Sequence, residues 1–302
     1  MKLSALLFVI VSLLAAPLLS GWIVRVKALF AGRKGSPVLQ PYHDLFRLLR
    51  KGAVYSKSTS PLFYIAPMVT LSALIAALCL LPLPGFGALL SFQADLILFA
   101  YLFALGRFFT ILAALDTGSA FEGMGASREA FFSVFAELIF FLSLATLARF
   151  TNSLSLSSIF ESHAAGVNYA DSPALALLLV SLFAALLTEN CRIPVDDPTT
   201  HLELTMIHEV MVLDHSGPDL AYILYGAALK LWIWSMFIAL VIISSFPSPR
   251  WLQPVIAVAV LFLIATAVGV LESTLARLRL TAVPRMLMAA GALGLLSYII
   301  LG

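Results

Sequence analysis

Charge is scarce in this chain: 18 basic and 16 acidic residues make up only 11% of 302, while 61% are hydrophobic. A mean hydropathy of +1.02 with repeated apolar runs of membrane-crossing length excludes a soluble domain. Barrel strands alternate apolar and polar residues over about ten positions. Here the runs are continuous, so the expected fold is all-α and polytopic. Cysteine is equally sparse. Cys79 and Cys191 stand far apart and match no metal or redox spacing, so no iron–sulfur cluster is expected within this chain. There is no Gly-rich phosphate loop, nucleophile elbow or zinc helix. The histidines fall outside the apolar runs, which removes the two-histidine pattern of a membrane haem. A net charge of +2 with mixed signs gives no basis for nucleic-acid binding.

What is present is a series of about eight apolar runs, near 3–24, 62–81, 94–115, 131–148, 173–187, 220–246, 252–271 and 282–301. The first is expected to be a retained span rather than a signal peptide, because it continues to Trp22 and the basic cluster follows it. Basic residues concentrate in alternate connections, so the positive-inside rule puts both termini outside and these connections in the cytoplasm. The whole of 1–302 then reads as one integral membrane domain of an inner, cytoplasmic membrane. A basic cytoplasmic loop at 25–61 and an acidic one at 188–219 interrupt it. No internal duplication is evident, which counts against inverted-repeat transporters.

In the basic loop Tyr42, Leu45, Phe46 and Leu49 recur at helical spacing opposite Asp44, Arg47, Arg50 and Lys51. That pattern predicts an amphipathic helix on the membrane surface. Two roles stay open for it and for Arg33 and Lys34: attraction to anionic lipid, or a platform for a soluble partner.

The acidic loop holds seven of the sixteen carboxylates: Glu189, Asp196, Asp197, Glu203, Glu209, Asp214 and Asp219. Thr200 and Glu203 have the form of a capping box opening a short helix, along which His201, His208 and His215, seven apart, would share a stripe. Gly118, Gly123 and Gly125 are expected to break the chain before the fourth span, with Ser127 as its cap. Glu137 then falls about 13 Å into that span, beyond direct reach of Arg128. Lys230 lies inside the sixth span. Both need a partner or water, and intramembrane charges are functional candidates by default. Arg277 and Arg279 point to different sides of a helix and suit lipid headgroups. The titratable line Asp196, Asp197, Glu203, Glu209, Glu189, Asp116, Glu137 and Lys230, with Arg128 and Arg192 at span ends, suits proton transfer or electrostatic coupling rather than bond-making chemistry.

The stretches GASREAFFSVFAE, LDTGSAFEGMGASREA and E-x-x-R-x-P-V-D followed by DPTTHLELTMIHE resemble the membrane-anchor subunit shared by respiratory complex I and the energy-converting nickel–iron hydrogenases. The resemblance spans essentially the whole chain and is closer to the formate hydrogenlyase and Ech-type anchors. Complex I anchors carry Phe-Asp and three alternating glutamates after the proline. Here Val195, Thr199 and His201 replace the phenylalanine and the first two glutamates, and Glu203 keeps the third. The resemblance implies a subunit that is non-catalytic alone, docked to hydrogenase large and small subunits whose nickel–iron centre and iron–sulfur clusters lie outside this chain. It also implies antiporter-like membrane neighbours and coupling to proton or sodium movement. A quinone-chamber subunit and an independent ion transporter are the alternatives.

Overall fold

The computed structural model describes residues 2–161, 173–196, 206–246 and 248–300, and the described residues are helical with no strand. The long helices are α1 (Lys2–Phe30), α3 (Pro61–Leu80), α4 (Asp95–Asp116), α5 (Ala120–Thr151), α7 (Pro173–Glu189), α8 (Gly217–Ser244), α9 (Gln253–Thr274) and α10 (Val283–Ile300). Seven are long and apolar enough to cross a membrane, and α7 is apolar but shorter, at 17 residues. A chain with this many such helices is a multi-pass membrane protein, since only self-satisfied helices cross hydrocarbon in series. Two short helices, α2 (Gln40–Leu49) and α6 (Leu156–Glu161), lie in connections.

Helix α8 is the hub. Most of its length is buried, whereas the other spans leave one apolar side open. Around it an aromatic cluster of Phe99, Phe103, Phe140, Trp234 and Phe237 fills the centre, with Phe140 and Trp234 centroids 4.5 Å apart. Helix α3 packs along α4 and α8, α10 along α7 and α5, and α1 along α9 and α8. Ends are set locally. Ser60 caps α3 by accepting the Leu62 N–H at 3.2 Å, ahead of Pro61. Gly118, at φ +70°, turns the chain between α4 and α5.

The amphipathic helix forms as α2. It lies against α1 and α8 with none of its residues fully buried, and Tyr42 Oη donates to the Leu14 carbonyl of α1. Of the three glycines expected to break the chain only Gly118 does so: α5 begins at Ala120 and runs through Gly123 and Gly125, with Ser127 inside it rather than at its cap. Gly125 serves packing instead. A Cβ there would meet the Ile207 carbonyl at 2.8 Å and Met211 Cγ at 2.9 Å, so a residue with no side chain lets segment 206–214 sit directly on α5.

Candidate functional site

Four long helices bring charged groups to one place inside the bundle. Arg107 of α4 is nine residues before Asp116, roughly 14 Å along the helix, and its side chain is 7% exposed. Its Nη2 donates to Glu189 Oε1 at 2.6 Å, its Nη1 to Glu137 Oε1, and its Nε is 3.9 Å from Glu129 Oε1. Lys230 of α8 holds the other Glu189 oxygen at 2.8 Å. Glu189, the last residue of α7, thus bridges cations from α4 and α8. Charges so far from water persist only because each faces an opposite one.

The turn after α7 extends this network outward. Arg192 Nη1 is 3.4 Å from Glu272 Oε1, and Glu272 Oε2 receives Lys27 Nζ at 2.9 Å, which ties the turn to α9 and α1. Asp196 Oδ1 pairs with Arg277 Nη2 at 2.7 Å, while Oδ2 accepts the Ile207 and His208 N–H groups, both at 3.1 Å. The Leu278 N–H donates to the Pro194 carbonyl at 2.9 Å. Arg277 is therefore no free lipid contact; a buried aspartate claims it.

Segment 206–216 does not continue the short helix that the capping box was expected to open. It holds one 3₁₀ turn, Glu209–Val212. A ledge on α5 seats it: Glu122 Oε1 accepts the Asp214 N–H at 3.2 Å, Gly125 lies beneath Met211, and Arg128 Nη1 donates to the Met206 carbonyl at 2.9 Å. These three α5 residues are three apart, on one helical face. Burial pushes His208 down to about 4, with the Lys230 charge adding to it and Asp196 opposing. His215 stacks on the Phe63 ring, centroids 4.0 Å apart, and burial lowers it too. Burial raises the Cys191 thiol well above its usual value.

Of the residues expected to act together, Glu189 and Lys230 pair directly, Glu137 reaches them through Arg107, and Arg192 and Asp196 join through the turn. Asp116 stands apart: its Oδ2 accepts the Ser60 N–H at 2.7 Å, fastening α4 to the start of α3. Glu209 opens the 3₁₀ turn and lines a cavity. Asp197 and Glu203, with the proposed capping box, lie outside the described residues. Arg33, Lys34, Arg47, Arg50 and Lys51 are all exposed, Arg50 sitting 3.9 Å over the Phe46 ring. Sequence reasoning missed Arg107 and Glu129. The signal for Arg107 was available, an arginine in the middle of an apolar run; Glu129 looked like an ordinary first-turn acid.

A cavity of about 470 Å³ opens beside the network between α3, α4, α8 and segment 206–216. Pro67, Leu74, Leu102 and Leu224 form its apolar walls, and Arg107, Glu189 and Lys230 lie at its charged end. Among the described residues, no group of three or more His, Cys, Asp or Glu side chains could hold a metal ion.

Fold and site together define a multi-pass membrane protein with a buried ion network that reaches from a loop cluster into the bundle. A family model described as NADH dehydrogenase matches residues 3–301. The chain belongs to that family, the subunit 1 family of complex I. It is 31% identical over 290 residues to "Formate hydrogenlyase subunit 4" of Escherichia coli, covering 94% of this chain and 93% of that one. It is 33% identical over 237 residues to "Hydrogenase-4 component C" of the same organism, covering 78% and 74%. To a subunit of the NADH-quinone oxidoreductase of Bordetella avium it is 26% identical, covering 78% and 67%. A chain in the solved structure of the membrane-bound sulfane sulfur reductase, an archaeal respiratory membrane complex, superposes with a TM-score of 0.83 over 99% of both chains. At 20% identity that likeness concerns the fold.

Proposed function

We propose that this chain is the membrane anchor of a hydrogenase-type respiratory assembly in the cytoplasmic membrane. It docks a nickel–iron large subunit and an iron–sulfur small subunit on its cytoplasmic side. It passes an electrostatic signal from them to antiporter-like subunits that move protons or sodium ions. The relatives named as formate hydrogenlyase and hydrogenase-4 components support the assembly. The basic excess of loop 25–61 supports the orientation and, with Arg33, Lys34, Arg47, Arg50 and Lys51 exposed, a docking surface shared with loop 188–219. The observation that carries the coupling role is Glu189, which joins Arg107 and Lys230 inside the bundle to a turn whose next charged groups, Arg192 and Asp196, hold the loops.

Glu137→Gln tests it in the intact complex. The change keeps the size of the side chain and leaves Glu129 and Glu189 facing Arg107 and Lys230, so assembly of the soluble subunits is expected to survive. Ion translocation should be lost or uncoupled while hydrogen oxidation with an artificial dye persists. Full translocation with Glu137 neutral would refute a coupling role, and loss of assembly would mark the acid as structural.

The cavity favours a second reading, a quinone chamber. Its apolar walls and charged end suit a long amphiphile with a polar head, and one relative belongs by name to a quinone oxidoreductase. Quinone-site inhibitors that slow turnover of the intact complex would select this reading over the first.

A further inference from the structure

Glu137 differs from the acids it neighbours. Its side chain is 36% exposed, against 4% for Glu189. The open side of Glu137 lies on the flank shared by α4 and α5. There Tyr101, Phe108, Val134 and Leu138 are all more than half exposed. The Tyr101 and Phe141 rings, 5.9 Å apart, join the two helical stripes into one face. The depth of this opening follows from Arg107, which is roughly 14 Å from one end of α4 and roughly 18 Å from the other. A lipid tail at that depth has no donor to offer a carboxylate. The exposed stripes of α1 and α9, such as Leu7, Leu14, Val255 and Leu263, are by contrast apolar. Among the described residues the network is also short of one positive charge, since Glu129, Glu137 and Glu189 face Arg107 and Lys230.

We propose that the α4–α5 flank is the docking face for a transmembrane helix of a different membrane subunit. That helix brings a basic side chain, lysine, arginine or histidine, to the open edge of Glu137. The aromatic and branched residues around it supply packing area, and the added cation completes the charge balance of the network. This rests on the reading of the chain as one membrane subunit among several, and it adds which face is used and what chemistry meets it.

The test places a photo-reactive residue at Val134 and, separately, at Leu138, neither of which belongs to the ion network. Leu263 on α9 serves as the comparison. The full chain is cross-linked in native membranes and the adducts are mapped by mass spectrometry. Adducts at both α5 positions with another polytopic subunit, within one helical turn of a basic residue, are expected. Adducts with lipid alone, with a second copy of this chain, or with a helix lacking a basic residue there would overturn the proposal. Val134→Trp should also lose that neighbour on purification while this chain keeps its thermal melt, and retention of the neighbour counts against the docking face. Soluble redox subunits are scored in the same preparation: if they copurify while the flank gives only lipid adducts, the flank assignment fails and the anchor reading stands.

Discussion

Arg107→Met is the most informative single perturbation of the ion network. The guanidinium touches Glu189, Glu137 and Glu129, so removing it leaves three carboxylates with one cation, Lys230. Removing one partner of a buried pair typically costs about 3–5 kcal/mol. Proton chemistry gives a similar figure. A carboxylate that ordinarily titrates near 4.3 requires about 3.7 kcal/mol to bind a proton at pH 7, at 1.36 kcal/mol per unit. The variant can escape the unpaired charge only by taking up protons, so its deficit should shrink by about 1.4 kcal/mol per pH unit for each proton bound. Adding Glu137→Gln to Arg107→Met should recover part of the loss, because one orphaned charge is gone. Reversible unfolding in mixed micelles, titrated with sodium dodecyl sulfate at pH 7.5 and 5.5, measures all three variants. A deficit below about 1 kcal/mol, or one that neither pH nor Glu137→Gln relieves, would refute the reasoning that these groups form one charge-balanced unit.

Further outcomes follow from the loops. Gly125→Val should unseat segment 206–214 from α5, because its Cβ already meets backbone at 2.8 Å; amide exchange at 206–214 is expected to rise while that of α8 does not. His208 is held near 4 against an ordinary 6.5, so the undocked segment binds more protons between those values. Docking should therefore weaken as pH falls from about 6.5 towards 4, by at most about 1.4 kcal/mol per unit; His215 acts in the same sense, and His208→Gln should flatten the exchange-versus-pH profile. Charge reversal at Arg47, Arg50 and Lys51 should release the soluble subunits at moderate salt while this chain stays inserted, and a complex that remains whole would refute the docking surface.

The spans were legible because hydrocarbon leaves a chain few options: a continuous apolar run of about twenty residues must be helical there. Partners were not, because they depend on which helices touch. Glu137 was read correctly as too deep for Arg128, yet its cation comes from α4, thirty residues earlier, through a packing choice that no local pattern encodes. Gly125 carried a misleading local signal. Glycine lowers helix propensity by about 1 kcal/mol, which suggested a break, but the gain from seating Met211 and Ile207 against bare backbone outweighs it. The short helix expected after Thr200 fails over 206–216 for the opposite reason. Segment 206–216 is held by contacts with α5 and Asp196 rather than by its own helical bonds, so its periodicity reports nothing. Arg277 looked superficial on the same count, since Asp196 reaches it from a turn eighty residues away.

The placement of Glu189, Arg192 and Asp196 argues that the network exists for more than holding the bundle together. Eight residues of chain attach to α4 and α8 through the first, to α9 and α1 through the second, and to Arg277 and segment 206–208 through the third. A shift of the loops therefore changes the field at Arg107 and Lys230 directly. A scaffold requiring only cohesion would not favour such groups: replacing buried pairs by well-packed apolar residues is often neutral, or stabilising by about 1–4 kcal/mol. Glu189 also holds two cations from two different helices, one on each carboxylate oxygen, so a displacement of α7 loads both pairings together. Such a shared group is an element through which a signal from outside the bilayer can bias a site within it. A neighbouring subunit that altered the charge at Glu137 would bias the same element from the other side, because Arg107 holds both acids at once.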